Sequence, residues 1–575
     1  MINGYWEANG YSAHHWASNT ISYNLGNLNS AEQALAIAAL NAWHDVANIT
    51  FVLATSGANI NFNHNGSMQA YTSSSWNGAG YMTSATIDIS SNWVTTYGTQ
   101  IDSYSYQTYI HELGHALGLG HQGPYNGSGT YGTDNIYAND TWQFSVMSYF
   151  GQDNYSGSSF RFVMTPMMAD ILATQTVYGV PTNTRTGDTV YGFNSTAGSL
   201  YNFASYSTAP ALTIFDSSGI DTLNCSGYSA VQTIDLRAGN FSSIGGLINN
   251  IGIATSCTIE SAIGGSGADT IYGNSANNTL SGGGGGDIFD GFGGLDTLAG
   301  GAGGDRFVFD SFAYIDATSA TPRFDHITDY DRGNSGSYSA AEGDRIDISA
   351  LVSAAFGSGQ AVGALVRVVE NGDGTGALVQ VDVDGTGTGS HWTTIAQLDG
   401  IHLGNTVNVV LSSSQPTGTT LTLQGDYGFA GDFNGDGNAD LLWRNDNGAL
   451  ATWQMNGSQV QSSGVVAAVG ADWHVVGVAD FNHDNMSDIL WRNDNGAVAL
   501  WEMNGTQILT AAGVGAAGTD WHVAGTGDFN NDGNSDILWR NDNGAIDAWL
   551  MNGTQILFQR GYRIGRKQLA RGRHR

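Results

Sequence analysis

Three histidines and one glutamate in the segment HELGHALGLGH have the residue types and the spacing of a catalytic zinc site. His111 and His115 are four residues apart, so on an α-helix they lie on the same face and can bind one metal ion. Gly118 can adopt the left-handed conformation that ends a helix, which lets His121 turn back as a third ligand. Glu112 supplies a carboxylate able to accept a proton from an attacking water.

Two alternatives compete with this interpretation, a chance occurrence of H-E-x-x-H and a structural zinc site. A structural site closes its fourth position with Cys or His, and the two cysteines, Cys225 and Cys257, lie far away in sequence. Gly118 and His121 extend the short motif to H-E-x-x-H-x-x-G-x-x-H, which chance rarely produces. Three imidazoles leave one coordination position for water, and this favours the catalytic interpretation.

The longer motif is the signature of metzincins, and the downstream sequence SVMSYF resembles the Met-turn of serralysins, a family of secreted bacterial metalloproteases. The resemblance implies that Met147 forms an apolar floor beneath the metal. It also implies that Tyr149 is a further, exchangeable zinc ligand that stabilises the oxyanion of the reaction. The implied reaction is the hydrolysis of peptide bonds within proteins, with Glu112 as general base and one zinc ion as cofactor.

The elements that must position this site follow the metzincin order of strand, helix, strands and zinc helix. Ser30 and Gln33 form the pattern of a capping box at the start of the helix AEQALAIAALNAWHDVAN. Strand-like runs are predicted at 21–25, 50–54, 60–63 and 85–90. Apolar residues at helical spacing predict a closing helix within 165–179. The catalytic domain is therefore expected to span residues 1–182.

Two segments after this domain, TRTGDTVYGF and FDSSGIDTL, interleave aspartate with glycine and small polar residues. Such segments suit calcium, which prefers oxygen ligands. The matching serralysin loops bind one calcium ion, and the resemblance assigns its ligands to Arg185, Gly187, Thr189, Asp216, Ser218 and Asp221. Ser218 stands where the family usually has glycine, and two polar β-turns without metal are the alternative. These loops open the calcium-binding start of the β-roll domain, expected at 183–263.

Five tandem nonapeptides, from GGSGADTIY to GGAGGDRFV, occupy residues 264–308. They match the repeat of the calcium-binding parallel β-roll of RTX proteins, in which glycines permit positive φ angles. The expected calcium ligands are Asp269, Asp287, Asp296 and Asp305. The expected interior residues are Ile271, Leu280, Phe289, Leu298 and Phe307. The second repeat departs from the pattern at Asn274, Ala276 and Asn278, which predicts a weaker metal row there. A glycine-rich linker is the alternative, and the regular nine-residue spacing disfavours it.

Residues 309–415 resemble the β-rich C-terminal domain of serralysins, which bears the type I secretion signal. Three blocks with a period of 48 residues follow within 425–560 and resemble FG-GAP repeats, the blades of β-propellers. Three blades are fewer than the roughly four to eight of a closed propeller. A truncated array, completion by another copy and an open array are all compatible with this number.

Each 48-residue block opens with an acidic loop, DFNGDGNAD, DFNHDNMSD or DFNNDGNSD, whose oxygens at positions one, three, five and nine suit calcium. The predicted ligands are Asp432, Asn434, Asp436, Asp440, Asp480, Asn482, Asp484, Asp488, Asp528, Asn530, Asp532 and Asp536. The expected role of the blocks is adhesion or substrate targeting, with cell-surface or glycan ligands on exposed aromatic side chains. The alternative is a calcium-stabilised spacer whose tryptophans lie in the blade cores.

Composition limits the partners and the compartment. Fifty acidic residues against 18 basic ones give a net charge of −32, which disfavours nucleic acid and favours calcium as a partner. The two cysteines are predicted to be buried thiols, with a disulfide between them as the alternative. No run reaches the roughly 18 apolar residues of a membrane span, and the first residues lack the pattern of a cleavable signal peptide. The basic residues 561–575 are expected to form a disordered tail.

The sequence thus predicts a multidomain protein of α+β and all-β architecture: a metzincin catalytic domain, a parallel β-roll, a β-rich C-terminal domain and partial β-propeller-like repeats. The favoured function is that of a secreted zinc endopeptidase acting on extracellular proteins, stabilised by several calcium ions and exported by a type I secretion apparatus. The alternative is a calcium-dependent adhesin with an inactive protease domain. An inactive domain should have lost a ligand or the base, and every predicted one is present.

Overall fold

The computed structural model of the protein describes residues 1–319, 323–333, 343–371, 375–383, 392–402, 405–423, 429–445, 448–530 and 532–562. The chain divides into two compact units, Met1–Leu423 and Gln424–Arg575. The predicted basic tail lies outside the described residues from position 563 onward. Among the described residues, no helix combines the length and the apolar composition that a membrane span requires.

A five-stranded sheet forms one layer of the first unit. Its strands are β1 Thr20–Asn24, β2 Thr50–Leu53, β3 Ile60–Asn63, β4 Ala70–Trp76 and β5 Met82–Ile89. They lie in the order β2-β1-β3-β5-β4, with β4 antiparallel to β5 at the edge and the others parallel. The sequence analysis missed β4 because this edge strand, AYTSSSW, lacks the alternation of apolar and polar residues that predicts a strand, and none of its residues is fully buried.

Five helices accompany this sheet: α1 Gly4–Ala8, α2 Ser30–Val46, α3 Ser91–Tyr97, α4 Tyr104–Ala116 and α5 Met168–Tyr178. Helix α4, which carries the first two histidines of the motif, contacts α2 on one side and β4 and β5 on the other. The indole of Trp43 on α2 is buried and donates to the Ile110 carbonyl of α4 at 3.0 Å. The two long helices are thereby fixed to each other by packing and by a buried hydrogen bond.

The start of α2 differs from the prediction. Asn29 is the N-cap, and its side chain accepts two backbone N–H bonds while the Glu32 carboxylate accepts the Asn29 N–H at 2.9 Å. Ser30 is the first helical residue instead of the cap, and Gln33 donates its amide to the Leu28 carbonyl. The capping box forms one residue earlier because a carboxylate is a stronger acceptor than an amide and is favoured at a helix N-terminus.

Two long sheets with mostly parallel strands form a roll in the remainder of the first unit. The first contains β6 Val190–Gly192, β8 Thr222–Asn224, β12 Ser261–Ile263, β14 Thr279–Gly284, β16 Thr297–Ala302, β18 Asp325–Ile327, β20 Val366–Glu370, β21 Gly376–Val381 and β22 Thr393–Asp399. The second contains β9 Thr233–Asp235, β13 Thr270–Asn274, β15 Ile288–Phe292, β17 Arg306–Val308, β19 Arg345–Asp347, β23 Thr406–Val410 and β24 Thr419–Thr422. A small sheet adds β7 Leu212–Ile214, β10 Phe241–Ser242 and β11 Ile251–Ile253.

The register of the roll follows the nonapeptide pattern, because consecutive repeats alternate between the two sheets. Ile271 pairs with Phe289, and Phe289 with Phe307, in one sheet, while Leu280 pairs with Leu298 in the other. All five predicted interior residues are at most 2% exposed. The sheets continue across residues 263 and 308, and helices α6 Ser311–Ala317, α7 Ser349–Gly357 and α8 Val362–Leu365 lie within the later part. Cys225 and Cys257 are both free and buried, as predicted.

The described residues of the second unit form three antiparallel sheets of four strands, one for each 48-residue block. The first has β25 Phe429–Gly431, β26 Asp440–Arg444, β27 Ala449–Asn456 and β28 Gln459–Ala468. The second has β29 Trp473–Ala479, β30 Asp488–Asn493, β31 Ala497–Asn504 and β32 Gln507–Ala516. The third has β33 Trp521–Gly527, β34 Asp536–Asn541, β35 Ile546–Asn552 and β36 Gln555–Tyr562. Four-stranded sheets of this kind are the blades of propeller folds.

Candidate metal centre

The motif histidines meet where helix α4 ends. His111 and His115 lie one turn apart on α4, which ends at Ala116. Gly118 then adopts a φ of 95°, and a Cβ at this position would lie 2.1 Å from the His14 carbonyl oxygen. Only glycine fits this turn, which redirects the chain so that His121 faces the two helical histidines.

The three imidazoles are oriented by backbone carbonyls. The Nδ1 atoms of His111, His115 and His121 each lie 2.8 Å from a carbonyl oxygen, those of Val146, Leu119 and Tyr125 respectively. A carbonyl can only accept, so each Nδ1 donates and each Nε2 keeps its lone pair. The ligand atoms lie within 4.8 Å of one another, and the Nε2 atoms of His115 and His121 are 3.1 Å apart.

Burial keeps these imidazoles neutral. It lowers the pKa of His111 to about 4 and that of His115 to about 3, with the neighbouring imidazoles adding to the effect at His115, and it lowers the pKa of His121 well below its ordinary value. Three neutral imidazoles with converging lone pairs form the donor set of a catalytic zinc ion. The residues present therefore fit zinc, which the sequence analysis assigned to them.

The carboxylate of Glu112 is buried next to the histidines, on the same helix. Burial raises its pKa to about 7, and one hydrogen bond opposes this shift. The donor is Thr72 on the edge strand β4, whose hydroxyl lies 2.8 Å from Glu112 Oε2. Sequence reasoning missed Thr72 because it lies in the strand that was not predicted. A carboxyl group with a pKa near neutrality can both accept and deliver a proton.

The turn around Met147 lies beneath the zinc helix. A Cβ at Gly114 of α4 would lie 2.4 Å from the Met147 sulfur, so the fully buried thioether packs directly against the helix backbone. The carboxylate of Asp170 on α5 holds this turn, since it accepts from the Ser145 hydroxyl at 2.6 Å and from the Val146 N–H at 2.7 Å. Burial raises the pKa of Asp170 to about 6. Asp170 is the only charged residue of α5, and this was the signal that sequence reasoning overlooked.

Several tyrosine rings lie beside the imidazoles. The ring of Tyr149 is 4.4 Å from that of His121 and 6.0 Å from that of His111, between centroids, and its hydroxyl accepts the Gly127 N–H at 3.3 Å. Tyr5 on α1, which the sequence analysis did not consider, lies with its ring centroid 4.9 Å from that of His121. Tyr149 thus reaches the histidine cluster, and its role as a zinc ligand remains a prediction.

The two predicted calcium loops after the catalytic domain lie together. A Cβ at Gly219 would lie 2.7 Å from the Gly187 carbonyl oxygen and 2.9 Å from Asp221 Oδ1, so these two oxygens converge. Asp221 Oδ1 also accepts the Thr189 N–H at 2.8 Å. Burial, together with the charges of Asp216 and other acids, raises the pKa of Asp221 to about 7.

The other predicted ligands of these loops have partners within the protein. Asp216 accepts from the Ser218 N–H and, at 2.7 Å, from the Tyr191 hydroxyl. Arg185 adopts a φ of 49° and directs its guanidinium at Asp45, at 2.6 Å. Only its carbonyl oxygen is therefore suited to a cation, because the side chain is itself a cation engaged with a carboxylate.

The acids of the nonapeptides form ladders along the roll. Asp287 Oδ1 accepts the Asp269 N–H, and Asp305 Oδ1 accepts the Asp287 N–H, both at 2.7 Å. The ladder continues from the Asp305 N–H to Asp344 Oδ1 at 2.9 Å. On the other side, Asp296 Oδ1 accepts the Asn278 N–H. In the second repeat, Asn278 stands where the other repeats have an aspartate. Its side-chain amide accepts the Asn274 N–H and donates to the Glu260 carbonyl.

Three of these acids have a second carboxylate oxygen without a partner within the protein. Oδ2 of Asp287, Asp296 and Asp305 is buried without a hydrogen bond. A Cβ at Gly282 would lie 2.0 Å from Asp287 Oδ2 and 2.7 Å from the Gly300 carbonyl oxygen, so carboxylate and carbonyl oxygens converge there. Buried unpaired oxygens of this kind are costly unless a cation binds them, and oxygen donors suit calcium.

Two acids of the ladders were missed by the sequence analysis. Asp325 accepts the Asp296 N–H at 2.9 Å, and Asp344 accepts from Asp305. Burial raises the pKa of both groups, to about 8 for Asp344, with neighbouring carboxylates adding to the effect. They lie 29 and 39 residues after their partners, because insertions interrupt the nonapeptide period at this point.

The acidic loops of the three blades have a shared internal bonding pattern. In the first blade, Asp432 accepts backbone N–H groups of its own loop, and the Asn434 amide donates to Asp436. The ninth residue, Asp440, is buried and accepts the N–H groups of Phe433 and Met455. Asp488 and Asp536 repeat these two bonds in the next blades. Position nine therefore joins the strands of each blade, and calcium binding by these loops remains a prediction.

Three family models match the chain. The Matrixin model matches residues 15–126, the model of the Peptidase M10 serralysin C terminal matches 180–384, and the FG-GAP-like repeat model matches 432–491 and 480–539. The first covers the histidine cluster, the second covers the ladders of the roll, and the third covers the blades.

Curated relatives include proteases of several bacteria. Metalloprotease AprA of Pseudomonas entomophila and Serralysin G of Dickeya chrysanthemi are each 44% identical, over 54% of this chain and 65% of their own. Serralysin of Proteus mirabilis is 41% identical, over 44% of this chain and 56% of its own. The chain thus spans 56% to 65% of the length of these relatives.

Proposed function

We propose that this chain, a serralysin-type metzincin that also carries FG-GAP-like repeats, is a zinc-dependent endopeptidase. The observation that carries the proposal is the convergence of three neutral imidazoles next to a buried glutamate. A zinc ion bound there supplies Lewis-acid polarisation and lowers the pKa of an attacking water to about 7. The matched Matrixin model and the relatives named as proteases support the same activity.

Different residues of the chain have different roles in the proposed reaction. The Glu112 carboxylate accepts the proton of the attacking water and delivers it to the leaving amine, for which a pKa near 7 is suited. His111, His115 and His121 hold the metal in one geometry because their Nδ1 atoms are fixed by carbonyls. We assign to Tyr149, whose ring lies against His121, the role of donating its hydroxyl to the developing oxyanion.

Hydrolysis of casein by the purified chain tests this proposal directly. We expect one equivalent of zinc by elemental analysis, cleavage of casein within its sequence, and loss of cleavage after the zinc is removed by a chelator that leaves calcium in excess. Zinc added back should restore cleavage, because only the metal was removed. A chain that binds one zinc and leaves casein intact would contradict the proposal and favour a binding protein with an inactive protease domain.

Replacing Thr72 with Val should move the acidic limb of the pH profile of kcat/KM upward, by about one pH unit. The Thr72 hydroxyl stabilises the charged form of Glu112, so its loss raises the pKa of that carboxyl and higher pH is needed to ionise it. Thr83→Val makes the same change at an exposed threonine of β5 and should leave the profile unchanged. An unshifted profile in Thr72→Val would show that the hydrogen bond does not tune the base.

Calcium is the second cofactor that we propose, in the roll and in the loops before it. The unpaired buried oxygens of Asp287, Asp296 and Asp305 support this proposal, as does their approach to carbonyl oxygens. The converging oxygens of Gly187 and Asp221 support a separate site. Calcium at the exposed blade loops is the least supported part of the proposal, since their acids already accept several N–H bonds.

We further propose that the protein acts outside the cell after export by a type I secretion apparatus. A roll with buried, unpaired carboxylates needs abundant calcium, and extracellular calcium modules bind with Kd values of about 10⁻⁴ to 10⁻³ M. The match of residues 180–384 to the serralysin C terminal supports the same route. Proteins and peptides are the proposed substrates, and the repeats are the proposed site for cell-surface or glycan ligands.

A further inference from the structure

Each blade of the second unit has two apolar faces. Where two blades are neighbours, one face of the first packs against one face of the second. We call the face that packs on the preceding blade the leading face and the opposite one the trailing face. The leading face of the middle blade consists of Ile489, Trp491, Trp501 and Met503. Its trailing face consists of Phe481, Leu490, Val498 and Leu500. The two faces alternate along strands β30 and β31, as expected for a pleated sheet.

The two junctions between the three blades repeat the same contacts. Phe433 of the first trailing face packs with Trp491, and Phe481 of the second packs with Trp539. The carbonyl of the same phenylalanine accepts an N–H across each junction, from Gly505 and Gly553 respectively, at 2.6 and 2.7 Å. An arginine near the end of the second strand of the preceding blade lies over each tryptophan, Arg444 over Trp491 and Arg492 over Trp539. One set of contacts therefore defines how a trailing face recognises a leading face.

The outer faces of the array leave the same residues uncovered. Trp443, the equivalent of Trp491 and Trp539, is 44% exposed, whereas each of those is 1% exposed. At the other end Phe529, the equivalent of Phe433 and Phe481, is 52% exposed, whereas each of those is fully buried. Exposed aromatic side chains on a face that is otherwise an interior surface mark an interaction site.

We propose that the trailing face of the third blade binds the leading face of the first blade of a second copy of this chain. The interface is continuous with the two junctions already present, because the residues that would meet are the repeats of those that meet there. The Phe529 carbonyl would accept from Gly457, the equivalent of Gly505, and Arg540 would cover Trp443 as Arg492 covers Trp539. Shape, hydrogen bonding and cation–π contacts are thus all supplied.

Two copies joined in this way close a ring of six blades. A head-to-tail contact yields either a closed ring or an open filament, and closed propellers contain roughly four to eight blades. The three blades that the structure describes in one chain fall below this range and nine from three copies exceed it, so six blades from two copies is the closing number. Each ring has two identical junctions between the copies, and each of them joins the leading face of one copy to the trailing face of the other.

Sedimentation equilibrium of the full chain in calcium tests the proposal. We expect twice the chain mass for the native protein and a single chain mass for Phe529→Asp and for Trp443→Asp, with a loss of at least about 30-fold in affinity at each junction. Leu509→Asp, which alters an exposed apolar residue of the middle blade, should remain dimeric. Far-UV circular dichroism should be equal in all four proteins, because the altered side chains are exposed in the single chain.

Mixing the two monomeric variants distinguishes a head-to-tail ring from other dimers. A mixed pair retains one junction with two native faces, so a fraction of dimer should return in the mixture although neither variant forms it alone. A dimer that Trp443→Asp abolishes and Phe529→Asp leaves intact would show a face-to-face contact and overturn the proposal. A native protein that stays monomeric, or that grows into filaments with concentration, would overturn it equally.

Discussion

Glu112→Gln should lower the rate of casein cleavage by about 10² to 10⁴ while the protein keeps one equivalent of zinc. The amide has nearly the volume of the carboxylate, so the three imidazoles and the carbonyls that orient them stay in place. It can still accept the hydrogen bond of Thr72. What it loses is the ability to take a proton, because an amide is not a base in this pH range.

The comparison that isolates this effect is Glu7→Gln, which makes the same change at an exposed glutamate of helix α1. We expect full activity in this variant, since Glu7 neither touches the imidazoles nor lies in the buried site. Zinc content, measured on the same samples, separates loss of the base from loss of the metal. Substantial cleavage by a zinc-loaded Glu112→Gln protein would show that another group accepts the proton.

Withdrawal of calcium should unfold the roll at pH 8 and do so far less at pH 5. In the folded chain, burial and neighbouring carboxylates raise the pKa values of Asp287, Asp305 and Asp344 to about 7, 6 and 8. The unfolded values lie near 3.9. Protonated acids therefore contribute stability below about pH 4, and this contribution is lost as the pH rises through 6 to 8.

Calcium reverses the direction of this pH dependence. The ion binds the charged carboxylates, so protons compete with it and its affinity should fall as the pH falls through the same range. Each ion at a hundredfold excess over its Kd adds about 2.7 kcal/mol to the free energy of unfolding. Two or three ions thus match much of the roughly 5 to 15 kcal/mol that stabilises a typical domain. Thermal melts followed by circular dichroism, with and without chelator at both pH values, measure the effect.

Asp287→Asn should change the melting temperature in opposite directions with and without calcium. Its amide oxygen can still accept the Asp269 N–H, but the buried charge is gone. The melting temperature should rise without calcium at pH 8 and should fall, relative to the native protein, with calcium. Asp153→Asn changes an exposed aspartate of the catalytic domain and should shift neither value. A lower melting temperature in both conditions would contradict this prediction, because it would show that the buried charge of Asp287 does not destabilise the calcium-free fold.

The features that sequence could predict are those with a local signal or a regular period. The four-residue spacing of His111 and His115 defines one helix face, and Gly118 has the positive φ that the motif requires. The nine-residue period located the interior residues from Ile271 to Phe307 correctly. In each case neighbours in sequence determine the geometry, so the pattern is visible without the tertiary structure.

The features that sequence analysis missed depend on contacts between distant segments. Thr72 reaches Glu112 from a strand 40 residues away, and Asp170 holds a turn about 24 residues before it. Asp344 continues a ladder across 39 residues, in a stretch where the nonapeptide period is broken. Thr72 and Asp344 have no local signal that separates them from other polar residues, because the role of each is set by the partner that folding brings to it.

The two buried thiols of the roll form no disulfide, so they do not cross-link the fold covalently. Burial raises the pKa of Cys257 to about 12 and that of Cys225 still higher above its ordinary range, so both stay protonated and out of reach of oxidants. A secreted protein usually gains its cross-links by oxidation, which is slow to undo. The calcium ions that we propose for the roll would cross-link it by ionic contacts instead, so its stability would follow the cation concentration and not the redox conditions.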